Sequence, residues 1–131
     1  MSEPSDNPDF PNNPSLRTIA MPADTNPNGD MFGGWMMSMM DLAGANKAIE
    51  VSKGPVVTVA VDAMEFHLPA YVGDEVSCYS LVEKIGNTSI TVRVEAWARR
   101  RTSHEYFKIT VGRFTYVSIG ADRRPKPIIK M

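Results

Sequence analysis

The segment from Trp35 to Lys53, WMMSMMDLAGANKAIEVSK, constrains the fold more than any other part of the sequence. Its methionine, leucine, alanine and lysine residues, with no proline, predict a helix of about five turns that ends at Gly54 as the C-cap. The apolar positions lie on most sides of this helix: Trp35, Met36, Met37, Met39, Met40, Leu42, Ala43, Ala45, Ala48 and Ile49. A helix that is apolar on most sides has to be buried on most sides. A single sheet can bury it only by curling around it, or with help from a second subunit.

The segments on either side of the helix have the patterns of β-strands. Four long segments rich in β-branched or alternating residues follow it, at 56–66, 75–85, 88–100 and 106–119. One short apolar segment, 16–21, precedes it and predicts a first strand. Because the connections after the helix are short, the sheet is expected to be mainly antiparallel. The fold class is therefore α+β, with one long helix on one face of the sheet.

The chain has 131 residues, which fits one domain. Residues 1–14 are rich in proline and asparagine and predict a flexible N-terminal arm. Residues 15–120 form the single predicted domain. Residues 121–131 are basic, contain proline and predict an irregular tail.

Composition excludes several classes of protein. Fourteen Lys and Arg against fifteen Asp and Glu give a net charge of -1, which argues against nucleic acid as a partner. One cysteine, Cys78, and two histidines leave no basis for an intrachain disulfide or a metal site. No apolar run reaches the roughly 18 residues of a membrane span, and the N-terminus lacks the features of a secretory signal. We therefore expect a cytoplasmic protein that needs no membrane.

Asp41 is the first candidate for chemistry, because it lies in the middle of the apolar helix. The nearest charged residues in the sequence are Asp30 before it and Lys47 after it. A carboxylate in such a place is costly to bury unless it is paired or used. It could simply bond a serine, a backbone amide or a surface lysine. It could also act as a general base or a nucleophile.

The start of the helix carries the second candidate group. Gly33 and Gly34 leave backbone N–H groups bare at the positive end of the helix dipole, where negative charge is stabilised. This is the geometry of an oxyanion hole, although a lone Gly-Gly is more often a tight turn. Asn28 lies in an Asn-Gly turn, and Asp30 is a natural N-cap or first-turn acid for the helix. Together these residues suit the hydrolysis of an activated carbonyl.

Three segments resemble a known family. RTIAMPADTNPNGDMFGGWMMSMMDLAGA at 17–45, VVTVAVDAMEFHLPAYVGDEV at 56–76 and KIGNTSITVRVEAW at 84–97 are similar to the YciA-like bacterial acyl-CoA thioesterases. The resemblance covers roughly residues 16–119. It implies the hotdog fold, in which a five- to six-stranded antiparallel sheet wraps a long central helix. It also implies a double-hotdog homodimer with a continuous sheet, which can assemble further into a hexamer as a trimer of dimers.

The same resemblance assigns roles to residues of this chain. Asp41 matches the catalytic carboxylate, and the amides around Gly33 and Gly34 match the groups that polarise the thioester carbonyl. Asn28 and Asp30 fall in the loop that lines the site from the partner subunit, since the active sites lie at the dimer interface.

The resemblance further implies that Gly86, Thr88, Ser89 and Arg99 contact coenzyme A. The expected reaction is hydrolysis of acyl-CoA to the free acid and coenzyme A, with Asp41 as base or nucleophile. Coenzyme A enters as part of the substrate, and no other cofactor or metal is implied.

Other functions remain open from the sequence. One is a non-catalytic hotdog protein that binds or senses acyl-CoA. Another is a hydratase or dehydratase, which relies on a histidine paired with an acid, and His67 is the candidate for that role. A purely structural protein is the third alternative.

Overall fold

The computed structural model describes residues 13–129, so almost all of the predicted arm at 1–14 and the end of the predicted tail lie outside the described residues. The chain forms strands and helices in an order that confirms the predicted one. They are β1 (Leu16–Ile19), a short 3-10 turn (Pro22–Asp24), α1 (Gly33–Ser52), β2 (Val56–Phe66), β3 (Glu75–Ile85), β4 (Ser89–Arg99) and β5 (Tyr106–Ser118).

The strands form one five-stranded sheet in the order β1-β3-β4-β5-β2. Every neighbouring pair is antiparallel, as the short connections predicted. Strand β2 follows the helix but pairs with the last strand, so it forms one edge of the sheet. Its register with β5 shifts between Thr58 and Ala60 and again between Asp62 and Glu65. Such bulges bend a strand and re-aim its side chains.

The core lies between one face of the sheet and α1. The alternating apolar residues of β4 point into it, and Ile90, Val92, Val94 and Ala96 are fully buried. The helix contributes the buried residues Met36, Met40, Ala43, Gly44 and Ala48. One side of α1 is thus covered by the sheet.

The other side of α1 remains open in the protomer. Met37, Leu42 and Ile49 are 37%, 55% and 45% exposed. The sheet therefore buries only part of the apolar circumference that the sequence predicted to be buried. Within residues 13–129, no helix has the length and apolar character needed to cross a membrane.

Both predicted ends of the helix need correction. The N-cap is Phe32, which makes no side-chain capping bond, and not Asp30. The C-cap is Lys53 in the left-handed conformation, with φ of 60°, and not Gly54. Its N–H donates to the carbonyl of Ile49, which closes the last turn.

The segment after β5 is irregular but anchored. Ile119 pairs with Pro125 in an isolated bridge, and the Ile128 N–H donates to the Asn87 carbonyl at 2.8 Å. The Ile128 side chain is only 7% exposed and belongs to the core. This part of the tail therefore packs on the domain.

A buried ion pair fixes the connection between β2 and β3. Arg100 Nη1 lies 2.7 Å from Asp74 Oδ2, and Asp74 is 1% exposed. The guanidinium also stacks between two rings, 4.4 Å from the centroid of Tyr71 and 4.8 Å from that of Phe107. The same carboxylate oxygen accepts the Tyr71 N–H, so this one arginine holds the loop in place.

We predict that Arg100→Met lowers the free energy of unfolding by about 3–5 kcal/mol, because it leaves the Asp74 carboxylate buried without its cation. Arg99→Met is the matched control. Its partner Glu75 has 17% of its side chain exposed and Arg99 has 42%, so the loss should be about 1 kcal/mol or less. Urea unfolding of the two variants beside the wild type measures both values. Equal losses would show that Arg100 is an ordinary surface residue.

Candidate active site

The carboxylate of Asp41 is half-buried on α1 and receives hydrogen bonds at one oxygen. Thr58 Oγ1 donates to Asp41 Oδ1 at 2.8 Å, and the Tyr116 hydroxyl lies 3.1 Å from the same oxygen. The Tyr116 hydroxyl also reaches the Asp41 backbone carbonyl at 2.9 Å. No described side chain donates to Oδ2, and no described cation pairs with the carboxylate. Asp41 is therefore oriented by hydroxyl groups rather than neutralised by a lysine or an arginine.

The two hydroxyl donors come from neighbouring strands. Thr58 on β2 and Tyr116 on β5 are directly opposite each other in the strand register. Directly paired residues share one face of a sheet, so both side chains point toward the helix. Neither residue was predicted from the sequence. The signal that could have found Tyr116 is its buried position in the alternating pattern of β5, since a buried tyrosine hydroxyl needs a partner.

Gly44 makes the contact between Tyr116 and the helix possible. It lies three residues after Asp41 on α1, and a methyl group at this position would overlap the Tyr116 hydroxyl. Glycine inside a helix costs about 1 kcal/mol relative to alanine, so its presence has a packing reason here. The close approach lets a side chain from the sheet reach the backbone of the helix.

The Tyr116 hydroxyl remains a donor at all ordinary pH values. Burial raises its pKa well above the usual range, and the negative charge of Asp41 beside it raises the pKa further. The ring is fully buried and stacks on Phe114, with ring centroids 6.4 Å apart.

A cleft of about 260 Å³ lies at the start of α1. Its lining includes Asn26, Asp30, Phe32, Gly33, Phe66 and His67. The first hydrogen bond of the helix runs from the Met36 N–H to the Phe32 carbonyl, so the amides of Gly33 and Gly34 precede the intrahelical bonds. Gly34 is exposed, and a methyl group on it would meet nothing within 4 Å in the protomer. The amides of Gly33 and Gly34 therefore make no intrahelical hydrogen bond at the positive end of the helix dipole.

The helix start and Asp41 do not form one site within a protomer. Eight residues separate Gly33 from Asp41, which is about 12 Å along a helix that rises about 1.5 Å per residue. A carbonyl under attack needs both the donors and the attacking group within about 3 Å. The donors and the carboxylate of one chain are too far apart to act on the same carbonyl.

The loop before the helix is built around Asn26. Its side-chain Oδ1 accepts the N–H of Asn28 at 2.9 Å and that of Asp30 at 3.1 Å. Asp30 is half-buried, pairs with Tyr71 in an isolated bridge and lines the cleft, whereas Asn28 is exposed. The structure thus brings Asp30 together with Gly33, and the lining residue Asn26 was missed from the sequence.

The residues predicted to contact coenzyme A fall into two separate groups. Gly86, Thr88 and Ser89 form the turn between β3 and β4, where the Gly86 N–H donates to the Ser89 carbonyl at 2.8 Å. Arg99 is at the opposite end of β4, about 33 Å away at about 3.3 Å per residue. Its guanidinium pairs with Glu75 at 3.0 Å. The protomer does not bring the four residues together.

The two remaining nucleophilic or basic candidates differ in their access to solvent. His67 lines the cleft, and its Nε2 lies 3.4 Å from Glu65 Oε1. Cys78 is fully buried in β3, and burial raises the pKa of its thiol to about 12. The cysteine therefore has a structural position. Across residues 13–129, no three His, Cys, Asp or Glu side chains are grouped to hold a metal ion.

Comparisons with known proteins agree on one family. The model of the thioesterase superfamily matches residues 28–103. The acyl-CoA thioester hydrolase YciA of Salmonella typhimurium is 48% identical over 116 residues, which cover 86% of this chain and 87% of that protein.

Solved structures give the same result. A hexameric hotdog fold thioesterase of Campylobacter jejuni is 46% identical with a TM-score of 0.86, covering 89% of this chain and 90% of that chain. A hexameric broad specificity acyl-coenzyme A thioesterase is 45% identical with a TM-score of 0.84, covering 90% of this chain and 82% of that chain. The predicted hotdog fold is confirmed. The chain belongs to the thioesterase superfamily, as a homologue of the YciA acyl-CoA thioester hydrolases.

Proposed function

We propose that this protein hydrolyses acyl-CoA to a free carboxylic acid and coenzyme A. The observation that carries the proposal is the carboxylate of Asp41, which is half-buried on an apolar helix and, among the described side chains, receives hydrogen bonds from hydroxyl groups alone. The hydroxyl groups orient the carboxylate without pairing it with a cation, and an oriented carboxylate can act as a general base or as a nucleophile. The names of the relatives, acyl-CoA thioester hydrolases, agree with this chemistry.

In the proposed reaction, Asp41 either activates water or attacks the thioester itself. As a base, it accepts a proton from water while the water oxygen bonds to the acyl carbon. The C–S bond then breaks, and the thiolate of coenzyme A leaves and is protonated. As a nucleophile, the carboxylate bonds to the acyl carbon, the C–S bond breaks and the thiolate of coenzyme A leaves. Water then hydrolyses the resulting mixed anhydride, which releases the acid and regenerates the carboxylate of Asp41. In both routes the amides of Gly33 and Gly34 stabilise the negative oxygen of the tetrahedral intermediate.

We propose that the complete site forms between two protomers. Because about 12 Å separates the helix start from Asp41 along α1, the donors of one chain have to meet the carboxylate of the other. The open space beside Gly34 supports this arrangement, since it leaves room for another chain or a ligand. Asn28 and Asp30 would then face the carboxylate of the partner subunit.

The surface for this dimer is the free edge of β2. Among the described strands β2 pairs only with β5, and Val59 and Val61 on it are 55% and 37% exposed. A long apolar edge strand is a template for pairing with a second chain. Pairing there would also cover the open side of α1. A trimer of such dimers would give a hexamer, and the two similar thioesterases of known structure are hexameric.

For coenzyme A, contacts in the protomer favour Arg99 over the turn at 86–89. Arg99 and Arg101 lie beside Gly73. Gly73 belongs to the loop between β2 and β3, and Pro69 and Ala70 of the same loop line the cleft. Guanidinium groups are suited to phosphate oxygens. We propose that the phosphates lie at this end of β4, and that the turn contributes only through another protomer. The cytoplasmic location stays a prediction.

We predict that Asp41→Asn lowers kcat on acyl-CoA by about 10²–10⁴-fold, because the amide can neither accept the proton nor attack. Release of coenzyme A thiol from a series of short to long acyl-CoA substrates measures the effect. Glu50→Gln is the matched control, since it makes the same change at an exposed position of the same helix. Full activity of Asp41→Asn would contradict the assignment.

The same assay separates the alternatives. A wild-type protein that binds acyl-CoA without releasing thiol would be a binding or sensing protein. His67→Ala tests the hydratase alternative, and retained thioesterase activity in this variant would set that alternative aside.

We predict that Val59→Lys converts the wild-type oligomer to monomers and abolishes thioesterase activity, because charged side chains on an edge strand block pairing between chains. Light scattering after size exclusion measures the mass. Leu81→Lys is the control, since Leu81 is also exposed but lies on β3, away from the β2 edge. It should keep at least the mass of a dimer. An unchanged mass for Val59→Lys would contradict the proposed interface.

We predict that Cys78 does not react with a disulfide reagent in the folded protein. With a pKa of about 12, the thiol carries almost no reactive thiolate near neutral pH, and its burial blocks access. Absorbance after addition of the reagent should show no thiol in buffer and one per chain in denaturant. A rapid reaction in buffer would show that β3 opens. The result also ensures that thiol counted in the activity assay comes from coenzyme A.

A further inference from the structure

Three groups interact at the point where the sheet meets the middle of α1. They are the Tyr116 hydroxyl, the Asp41 carboxylate and the backbone of Gly44, which has no side chain to block the hydroxyl. Tyr116 is fully buried, so its hydroxyl cannot touch a substrate. Any effect of this residue on the reaction has to pass through Asp41.

We propose that Tyr116 is a positioning residue that selects Oδ2 of Asp41 as the oxygen that reacts. This inference rests on the proposed function of Asp41. The Tyr116 hydroxyl lies 2.9 Å from the Asp41 carbonyl and 3.1 Å from Oδ1, so it links the backbone of this residue to one of its carboxylate oxygens. Thr58 donates to the same Oδ1 at 2.8 Å. The single proton of the Tyr116 hydroxyl is shared between the carbonyl and Oδ1, and Oδ1 lies within hydrogen-bond distance of both hydroxyl groups. The carboxylate therefore presents Oδ2 as the oxygen that no described side chain contacts.

The residues packed around Tyr116 hold its hydroxyl in one position. The ring of Tyr116 stacks on Phe114 with an angle of 13° between the ring planes, and Gly44 leaves the space that the hydroxyl fills. Its strand partner is Thr58, and the register of β2 shifts immediately after that residue. A bulge beside a paired position re-aims side chains, and here it lies next to the two residues whose hydroxyl groups approach Oδ1.

A simpler explanation is that a buried tyrosine hydroxyl only needs an acceptor, and the Asp41 carbonyl supplies one. Under that explanation Tyr116 would support stability and have no specific effect on turnover. The two explanations make different predictions for kcat and for the coupling between Tyr116 and Asp41.

Tyr116→Phe removes only the hydroxyl and is the main test. We expect kcat on acyl-CoA to fall about 10- to 100-fold, as for the loss of one hydrogen bond to a charged group, with KM changed less than about threefold. Tyr106→Phe is the matched control, because it makes the same change on the same strand at a residue that is 39% exposed. It should leave kcat and KM unchanged.

A double-mutant cycle separates positioning from structure. In the Asp41→Asn background, Tyr116→Phe should lower the residual activity less than about twofold, because the oxygen that it orients no longer reacts. An equal loss in both backgrounds would overturn the proposal, as would a Tyr116→Phe variant with wild-type kcat.

Two further measurements complete the test. A crystal structure of Tyr116→Phe should show the Asp41 carboxylate rotated, and an unchanged rotamer would overturn the proposal. If Tyr116→Phe melts below the assay temperature, Gly44→Ala displaces the hydroxyl without removing it and should cause a similar fall in kcat. Wild-type kcat in Gly44→Ala, with the hydroxyl displaced, would overturn it.

The outcomes also distinguish this inference from the proposed function. Retained activity in Asp41→Asn would remove the basis of both. An active wild type, an inactive Asp41→Asn and a fully active Tyr116→Phe would leave the proposed function in place and remove only the role of Tyr116.

Discussion

The rest of the structure depends on how the apolar surface of α1 is covered. The sheet buries one side of this helix through residues such as Met40 and Ala43, while Leu42 is 55% exposed on the other side. Burial of apolar surface is worth roughly 25 cal/mol per Å², so an open apolar helix face favours association. The free edge of β2 likewise has no neighbouring strand among the described residues, and such an edge can pair with a second chain. The proposed dimer would cover the open face of α1 and pair the free edge of β2. Asp41 lies on the same helix, beside the face that the dimer would cover.

Three carboxylates of the chain show how partners decide what a buried acid can do. Asp74 and Glu95 are 1% and 2% exposed, and each is paired with an arginine, Arg100 or Arg93. Such pairing is what the removal of a charge from water requires. Asp41 is less buried and receives hydroxyl donors instead. The paired acids hold the fold together, whereas Asp41 is held in place by hydroxyl groups.

The order of the strands and the helix followed from composition and alternation, because apolar periodicity records which face of an element is buried. The residues that cap the two ends of α1 could not be predicted in the same way. Asp30 has the chemistry of an N-cap, but its N–H is bound to Asn26 and its backbone pairs with Tyr71 in the loop. Lys53 takes the left-handed conformation that glycine usually provides, one residue before Gly54. Capping depends on how the loop is tied to the sheet, which a local pattern does not contain.

The sequence by itself determined the apolar helix, the bare amides at its start and the isolated carboxylate within it, because these are properties of neighbouring residues. Only the tertiary structure decided which groups hold that carboxylate. Thr58 is 17 residues from Asp41 and Tyr116 is 75 residues away. They converge on one oxygen because the register of β2 and β5 sets them opposite each other and Gly44 leaves room for the Tyr116 hydroxyl beside the helix. Strand register and close packing are long-range properties, so no local pattern in the chain predicts them.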